Sequence, residues 1–192
     1  MLFKPELAAK IVTGEKTQTR RPVRPGDELY EVEFVNVLGV THNGRRKWEE
    51  CSDYAVQYGR GKPTRWYRPA TGHLLSYEDY VALSGHVPVG FPDPDLRERG
   101  FLPLRIQIMA IYREDVRKIS HEDAIAEGFN RPDAKYAFLQ TWCSFYSPSV
   151  LEQLRLAFVD MPAEYCPDFL WERPAHHFDA WVLEFRLKET EP

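Results

Sequence analysis

The chain has 192 residues, of which 43% are hydrophobic and 28% are charged, and its formal net charge is −4. These values are typical of a globular protein with one core, and no apolar run is long enough to cross a bilayer. The first residues lack the features of a signal peptide, and the three cysteines are widely spaced. We therefore expect a cytoplasmic protein with reduced thiols and no membrane association.

The first third of the chain predicts a helix followed by antiparallel strands. Apolar residues recur at helical spacing over 5–13, where a proline opens the pattern and a glycine follows it. A turn at 24–27 precedes a predicted strand over 29–37, and the pair Asn43-Gly44 predicts a hairpin. A further short strand is predicted at 54–58.

Residues 69–101 are rich in proline and glycine and contain one predicted helix, 76–84, with a serine at its N-cap. We interpret this segment as an insertion or lid on a single domain that spans 1–192. The remainder predicts a strand at 102–112, a helix from the capping box at Ser120 to Glu127, a helical stripe at 136–146, a helix that begins at Ser149, and a last strand at 178–187.

These elements mix without the regular strand–helix–strand rhythm of parallel sheets. We therefore predict an α+β fold: a small, mostly antiparallel β-barrel with flanking helices and an inserted Pro/Gly-rich segment.

The segment Gly14-Glu15-Lys16-Thr17-Gln18-Thr19-Arg20-Arg21-Pro22 is the first candidate site. Its ammonium, guanidinium and hydroxyl groups suit a phosphate or a polarised carbonyl. Because Lys16 lies where the chain leaves a helix, Lys16 and Thr19 can converge on one pocket, where a desolvated lysine could act as a base towards a threonine hydroxyl. Composition alone favours the alternative, a solvated charged turn.

A second candidate site is the basic and aromatic stretch 44–68, which has seven basic and three acidic side chains. Aromatic faces stack unpaired bases while cations follow the phosphates, so this stretch suits single-stranded RNA. The candidate RNA-binding residues are Tyr54, Arg60, Lys62 and Arg65. In the alternative interpretation, the aromatic residues belong to the core and the charges to its solvent side.

Four motifs in order resemble the ASCH domain of the PUA-like superfamily, a group of small β-barrels associated with RNA. They are the helix followed by Gly-x-Lys-Thr-x-Thr-x-Arg, the Pro25-Gly26-Asp27-x-Leu29 turn, the segment from Ile119 to Phe129, and the strand from Trp181 to Phe185. The resemblance covers most of residues 1–68 and 102–187. It implies a PUA-like barrel and an RNA or modified nucleoside as partner.

Some small bacterial ASCH proteins are similar to amidohydrolases that remove the acyl group from N4-acetylcytidine. By that resemblance Lys16, Thr19 and Glu127 are the catalytic residues. Arg21 suits an anion or oxyanion partner, and Thr17, Arg20 and Arg21 are the candidate nucleotide-binding residues of this segment. Without the resemblance, a glutamate in the last turn of a helix is most simply a surface residue. A non-catalytic RNA-binding or nucleotide-binding module and a ribonuclease are the alternatives. We expect no metal or cofactor, and the oligomeric state is open.

Overall fold

The computed structural model describes residues 1–32, 35–60, 62–84, 94–146, 148–150 and 167–188. Within them the fold is α+β with mostly antiparallel sheets. The helices are α1 Pro5–Val12, α2 Tyr77–Ser84, α3 Pro94–Glu98, α4 His121–Ala126, α5 Ala134–Tyr146 and α6 Asp168–Trp171. The strands are β1 Gln18–Pro22, β2 Asp27–Val32, β3 Val37–His42, β4 Arg45–Glu49, β5 Asp53–Ala55, β6 Trp66–Arg68, β7 His73–Leu74, β8 Leu102–Pro103, β9 Arg105–Asp115 and β10 Asp179–Leu187.

The chain divides into two compact units. Unit 1 comprises Met1–Glu15, Cys51–Ile108 and Phe185–Pro192, and unit 2 comprises Lys16–Glu50 and Met109–Glu184. None of the helices in the described ranges has the length and apolar character needed to span a membrane. The interpretation of 69–101 as a lid on a single domain stays a prediction.

Unit 1 is built around α1 and the strand pair β5–β9. Helix α1 begins with Pro5 as predicted and buries Ala8 and Ile11 against Ile106 and Phe185. A second apolar cluster joins the β6–β7–β8 sheet to α2 and α3. The N-cap predicted for α2 is confirmed, because the hydroxyl of Ser76 accepts a hydrogen bond from the third residue of the helix.

Unit 2 places α4 and α5 against β1 and β10. Strand β1 pairs antiparallel with β10, with Thr19 opposite Leu183. The apolar core includes Ile119, Leu139 and Phe178. The capping box is confirmed, since Ser120 Oγ accepts a hydrogen bond from the backbone N–H three residues later at 2.9 Å. Helix α4 therefore has a fixed start, which sets where its last residues lie.

A three-stranded sheet, β2–β3–β4, completes unit 2. Asp27, the first residue of β2, has a fully buried side chain. Its carboxylate accepts hydrogen bonds from Lys47 Nζ at 2.9 Å and from Trp181 Nε1 at 3.1 Å. Asp27 therefore connects this sheet to β10.

The hairpin predicted at Asn43-Gly44 is confirmed: both residues have positive φ, 49° and 74°, and connect β3 to β4. The single strand predicted over 29–37 is wrong. Strand β2 ends at Val32 and β3 begins at Val37, with Asn36 in the left-handed region at φ 49°. The sequence does not indicate this chain reversal, because the valine-rich segments on both sides of it have the same high β propensity.

Two further boundaries differ from the prediction. The strand predicted at 102–112 is interrupted at Leu104, whose N–H donates to Arg65 O, and β9 continues to Asp115. Strand β5 is shorter than the predicted 54–58. The helix predicted from Ser149 continues into residues 151–166, which lie outside the described residues; 148–150 form a short 3-10 turn. The last strand is confirmed as β10.

Candidate functional site

Lys16 lies two residues before the start of β1 and is buried, with 2% of its surface exposed. Its Nζ donates to Gln18 O at 2.6 Å, to Glu127 O at 2.6 Å and to Glu127 Oε2 at 2.8 Å. These three acceptors match the three N–H donors of an ammonium group. Burial lowers the pKa of Lys16 from its usual range; the Glu127 carboxylate opposes this effect, and the neighbouring arginines add to it.

The contacts of Lys16 also complete the C-terminus of α4. Glu127 follows the last helical residue, and the carbonyl oxygens at this end lack partners within the helix. Lys16 Nζ donates to the carbonyl of Glu127, and the N–H of Thr17 donates to that of Ala126 at 2.9 Å. A cation is also favoured here by the helix dipole. The start of the candidate segment therefore has a structural role in unit 2.

Glu127 is 5% exposed and divides its two carboxylate oxygens between two cations. Oε2 accepts from Lys16 Nζ, and Oε1 accepts from Arg20 Nη1 at 3.3 Å. A buried carboxylate is stable only when it is paired and hydrogen-bonded in this way.

Arg20 links Glu127 to a second carboxylate. Its Nε donates to Glu114 Oε2 at 2.8 Å, and its Nη2 lies 2.6 Å from the same oxygen and 3.6 Å from Asp123 Oδ2. Its Nη1 also donates to Gln18 Oε1 at 3.1 Å. The side chain of Arg20 is fully buried, so these contacts act with little screening by solvent.

Gln18 links these charged side chains to the neighbouring strand β10. Its Nε2 donates to Asp123 Oδ1 at 3.1 Å and to Glu184 Oε1 at 3.3 Å, and the hydroxyl of the exposed Tyr112 donates to the same Glu184 oxygen at 3.1 Å. Burial and the Glu184 carboxylate raise the pKa of Tyr112. A continuous polar row therefore leads from an exposed phenol to the buried cluster.

The buried cluster, defined as Lys16, Arg20 and Glu127, combines a lysine of lowered pKa, a carboxylate and an arginine. Such a set can transfer a proton or stabilise an anion. No protein-family model, curated protein or solved structure matches this chain. The ASCH resemblance therefore stays a prediction. Among the described residues, no group of three or more His, Cys, Asp or Glu side chains is arranged to hold a metal ion.

Thr19 is 4% exposed and lies within β1, between two residues that contact α4. Because side chains alternate along a strand and both Gln18 and Arg20 contact Asp123 of α4, Thr19 lies on the other face of β1. Its hydroxyl is not one of the three Lys16 acceptors described above. Of the predicted trio, the structure thus brings Lys16 and Glu127 into contact. Thr19 lies on the opposite face of β1.

The other two predicted residues of the first site differ in exposure. Thr17 is exposed, and only its backbone N–H contributes to the contacts above. Arg21 is half-buried; burial lowers its pKa, and the nearby Glu127 and Tyr146 oppose that shift.

The predicted RNA-binding residues Tyr54, Arg60, Lys62 and Arg65 belong to unit 1. Arg65 is 4% exposed, its Nη2 donates to Phe3 O at 3.3 Å, and burial lowers its pKa. Tyr54 packs half-buried against the core of the same unit. Arg60 and Lys62 are exposed. The ammonium of Lys62 lies 3.8 Å from the centre of the Tyr77 ring, and an RNA-binding role for the set stays a prediction.

Sequence reasoning missed Gln18, Glu114, Asp123 and Glu184 as members of the site. Asp123 was visible only as part of a capping box, and Glu114 as a charge near the end of a predicted strand. The available signal was the position of Gln18, two residues from Arg20 and so on the same face of a strand.

Proposed function

We propose that this chain is an ASCH-type protein with a PUA-like barrel, and that it hydrolyses the acyl amide of a modified nucleoside such as N4-acetylcytidine. The observation that carries the proposal is the buried contact of 2.8 Å between Lys16 Nζ and Glu127 Oε2. The α+β architecture with mostly antiparallel sheets supports the barrel assignment.

The chemistry requires a base of moderate strength in a desolvated site. Lys16 supplies this base, because burial lowers the pKa of its side chain and so favours the neutral amine. In the proposed reaction Thr19 Oγ1 attacks the acyl carbon and its proton passes to Lys16 Nζ. The C–N4 bond then breaks as N4 takes this proton from Lys16 by way of Glu127, and cytidine leaves with an acyl ester remaining on Thr19. Water hydrolyses this ester, which releases the carboxylic acid and restores the threonine hydroxyl.

This mechanism requires the Lys16 side chain to turn towards Thr19. In the structure Nζ faces Glu127 on the α4 side of β1, so the amine must leave this side to reach Thr19 on the other face of the strand. To accept a proton, Nζ must release at least one of its three acceptors, two of which are backbone carbonyls.

The experiment is an assay of cytidine release from N4-acetylcytidine by the full chain. Lys16→Arg keeps the cation at the end of α4 but cannot act as a base, since a guanidinium does not lose its proton in proteins. We expect this variant to remain folded and to lose release by about 10²-fold or more. Thr19→Ser should retain release and Thr19→Val should lose it. Release that survives Lys16→Arg, or Thr19→Val, would contradict the assigned role of that residue.

A specific observation favours a second candidate, a binding module without turnover. The three acceptors around Lys16 Nζ are those of a charged ammonium rather than of a neutral amine that could act as a base. Such a module should bind a short single-stranded RNA or a nucleotide with an affinity that falls steeply with salt. Lys16→Arg should then retain binding, whereas it abolishes deacylation in the first proposal.

The exposed Arg60 and Lys62 provide a test of the RNA partner in unit 1. Replacing both by glutamine should weaken binding of a short single strand and reduce the salt dependence, because two phosphate contacts are lost. Unchanged affinity would remove this patch from the footprint. Cleavage of the same strand would favour the ribonuclease alternative.

A further inference from the structure

Arg20 has contacts that its place in the motif does not explain. In Gly-x-Lys-Thr-x-Thr-x-Arg it occupies the variable position before Arg21. Its side chain is nevertheless fully buried and contacts carboxylates from two elements, Glu114 of β9 and Glu127 at the end of α4. A guanidinium is planar and rigid, so these contacts fix the two carboxylates relative to one another.

Resting on the function proposed above, we propose that Arg20 is a positioning residue: anchored by Glu114, it holds Oε1 of Glu127 so that Oε2 faces Lys16. The carboxylate is thereby shared between two cations, and Lys16 receives only part of its charge. Arg20 also adds a positive charge beside Lys16. Both effects favour the neutral amine that a general base needs.

Glu114 acts in the opposite sense, because it compensates the charge of Arg20. Its Oε2 lies 2.8 Å from Nε and 2.6 Å from Nη2 of Arg20, and its side chain is 20% exposed. The charged groups that act on Lys16 are Glu127, Arg20 and Arg21. Around them, Glu114 of β9 and Asp123 of α4 contact Arg20, and Tyr146 of α5 acts on Arg21.

Substitutions of Arg20 and Glu114 therefore change the charge around Lys16 in opposite directions. Arg20→Gln removes a cation, so the pKa of Lys16 rises. Glu114→Gln removes an anion and leaves Arg20 less compensated, so the pKa of Lys16 falls. If the two residues served only to hold unit 2 together, both variants would lose activity and stability without opposite shifts.

The test is a pH titration of the Lys16 side chain by NMR in the full chain, together with the pH profile of cytidine release. The Lys16 signal is assigned by its absence from Lys16→Arg. For Arg20→Gln we expect the acid limb to move to higher pH, with a roughly tenfold lower rate at pH 7 that recovers at alkaline pH. For Glu114→Gln we expect the limb to move to lower pH.

Arg113→Gln is the matched control, because Arg113 is an exposed arginine on β9 that pairs with Asp179. This variant should leave both the titration and the profile unchanged. If Arg20→Gln does not fold, Arg20→Lys keeps the charge but loses the planar bridge. It should lower kcat with little change in KM and leave the Lys16 titration close to that of the wild type.

Shifts in the same direction, or no shift, in folded Arg20 and Glu114 variants would overturn the positioning role. Absence of cytidine release by the wild-type chain would instead overturn the proposed function. The NMR titration needs no substrate, so it still decides whether Arg20 and Glu114 set the charge around Lys16.

Discussion

Replacing Glu127 by glutamine tests the cluster without changing its shape. The carboxylate offers one oxygen to Lys16 Nζ and the other to Arg20 Nη1, at 2.8 and 3.3 Å. A glutamine amide has a single oxygen, so its NH2 group must face one of the two cations. One buried cation therefore loses its acceptor and meets a donor in its place.

The expected loss of stability is large for a single substitution. Removing one partner of a buried ion pair costs about 3–5 kcal/mol, and the remaining amide hydrogen bond favours the lower end, about 3 kcal/mol. For a chain of this size that corresponds to a fall in Tm of roughly 6–12 °C. In the Glu127→Gln variant, Lys16 binds a proton less readily in the folded chain than in the unfolded chain. The free energy of unfolding of the variant therefore rises with pH, and its deficit relative to the wild type shrinks towards about pH 10.

Urea denaturation of the full chain at several pH values measures this effect. Glu122→Gln is the control, because Glu122 is an exposed carboxylate in the first turn of the same helix and its loss should cost no more than about 1 kcal/mol. Adding Lys16→Met to the Glu127 variant should recover part of the loss. A Glu127→Gln chain whose free energy of unfolding lies within about 1 kcal/mol of the wild type at pH 7 would contradict the role of Glu127 as the shared partner of two buried cations.

Three further substitutions test the frame of unit 2 by the same denaturation. Ser120→Ala removes the N-cap hydroxyl of α4 and should cost about 1 kcal/mol. Asp27→Ala leaves the Lys47 ammonium without its buried partner and should cost about 3 kcal/mol at neutral pH. Burial alone would raise the pKa of Asp27, but hydrogen bonds from Lys47 and a backbone N–H lower it overall. The ionic part of the stability loss is therefore complete above about pH 4, and it disappears as the pH falls through the lowered pKa of Asp27 in the folded chain. Gly26 has φ 86°, and a Cβ added there would clash with Asn43 Oδ1, so Gly26→Ala should cost about 1–3 kcal/mol.

Each of these three substitutions has a control variant or a control condition. Ser120→Thr should be close to the wild type, since threonine is also a good N-cap. Asp27→Ala should lose less at pH 3 than at pH 7, and an equal loss at both would contradict the ionic account. Gly44 also has a positive φ, but a Cβ there meets nothing within 4 Å, so Gly44→Ala should cost less than Gly26→Ala. The reverse order would contradict the steric account.

Local signals predicted the elements that local chemistry determines. The proline at the start of α1, the Ser120 capping box and the Asn43-Gly44 turn each depend on residues within a few positions, and each is found where expected. The reversal at Asn36 was missed because asparagine reaches positive φ readily without any glycine to mark it.

The partners of the site could not be predicted in the same way. Lys16 and Glu127 are separated by 111 positions, and their contact depends on how α4 packs against β1. Strand β1 itself was not predicted, because a run of Gln, Thr and Arg has little apolar alternation and becomes a strand through pairing with β10. The role of Glu114 follows only once β9 is seen beside the cluster, since a charge near a strand end is ordinary by composition.

The most direct test of the central proposal compares the wild-type chain with Lys16→Arg in the release of cytidine from N4-acetylcytidine. The proposal predicts release by the wild type and a loss of about 10²-fold or more in the folded arginine variant, whose cation still caps α4 but cannot accept a proton. No release by the wild type at enzyme concentrations equal to the substrate, or equal release by both proteins, would contradict it.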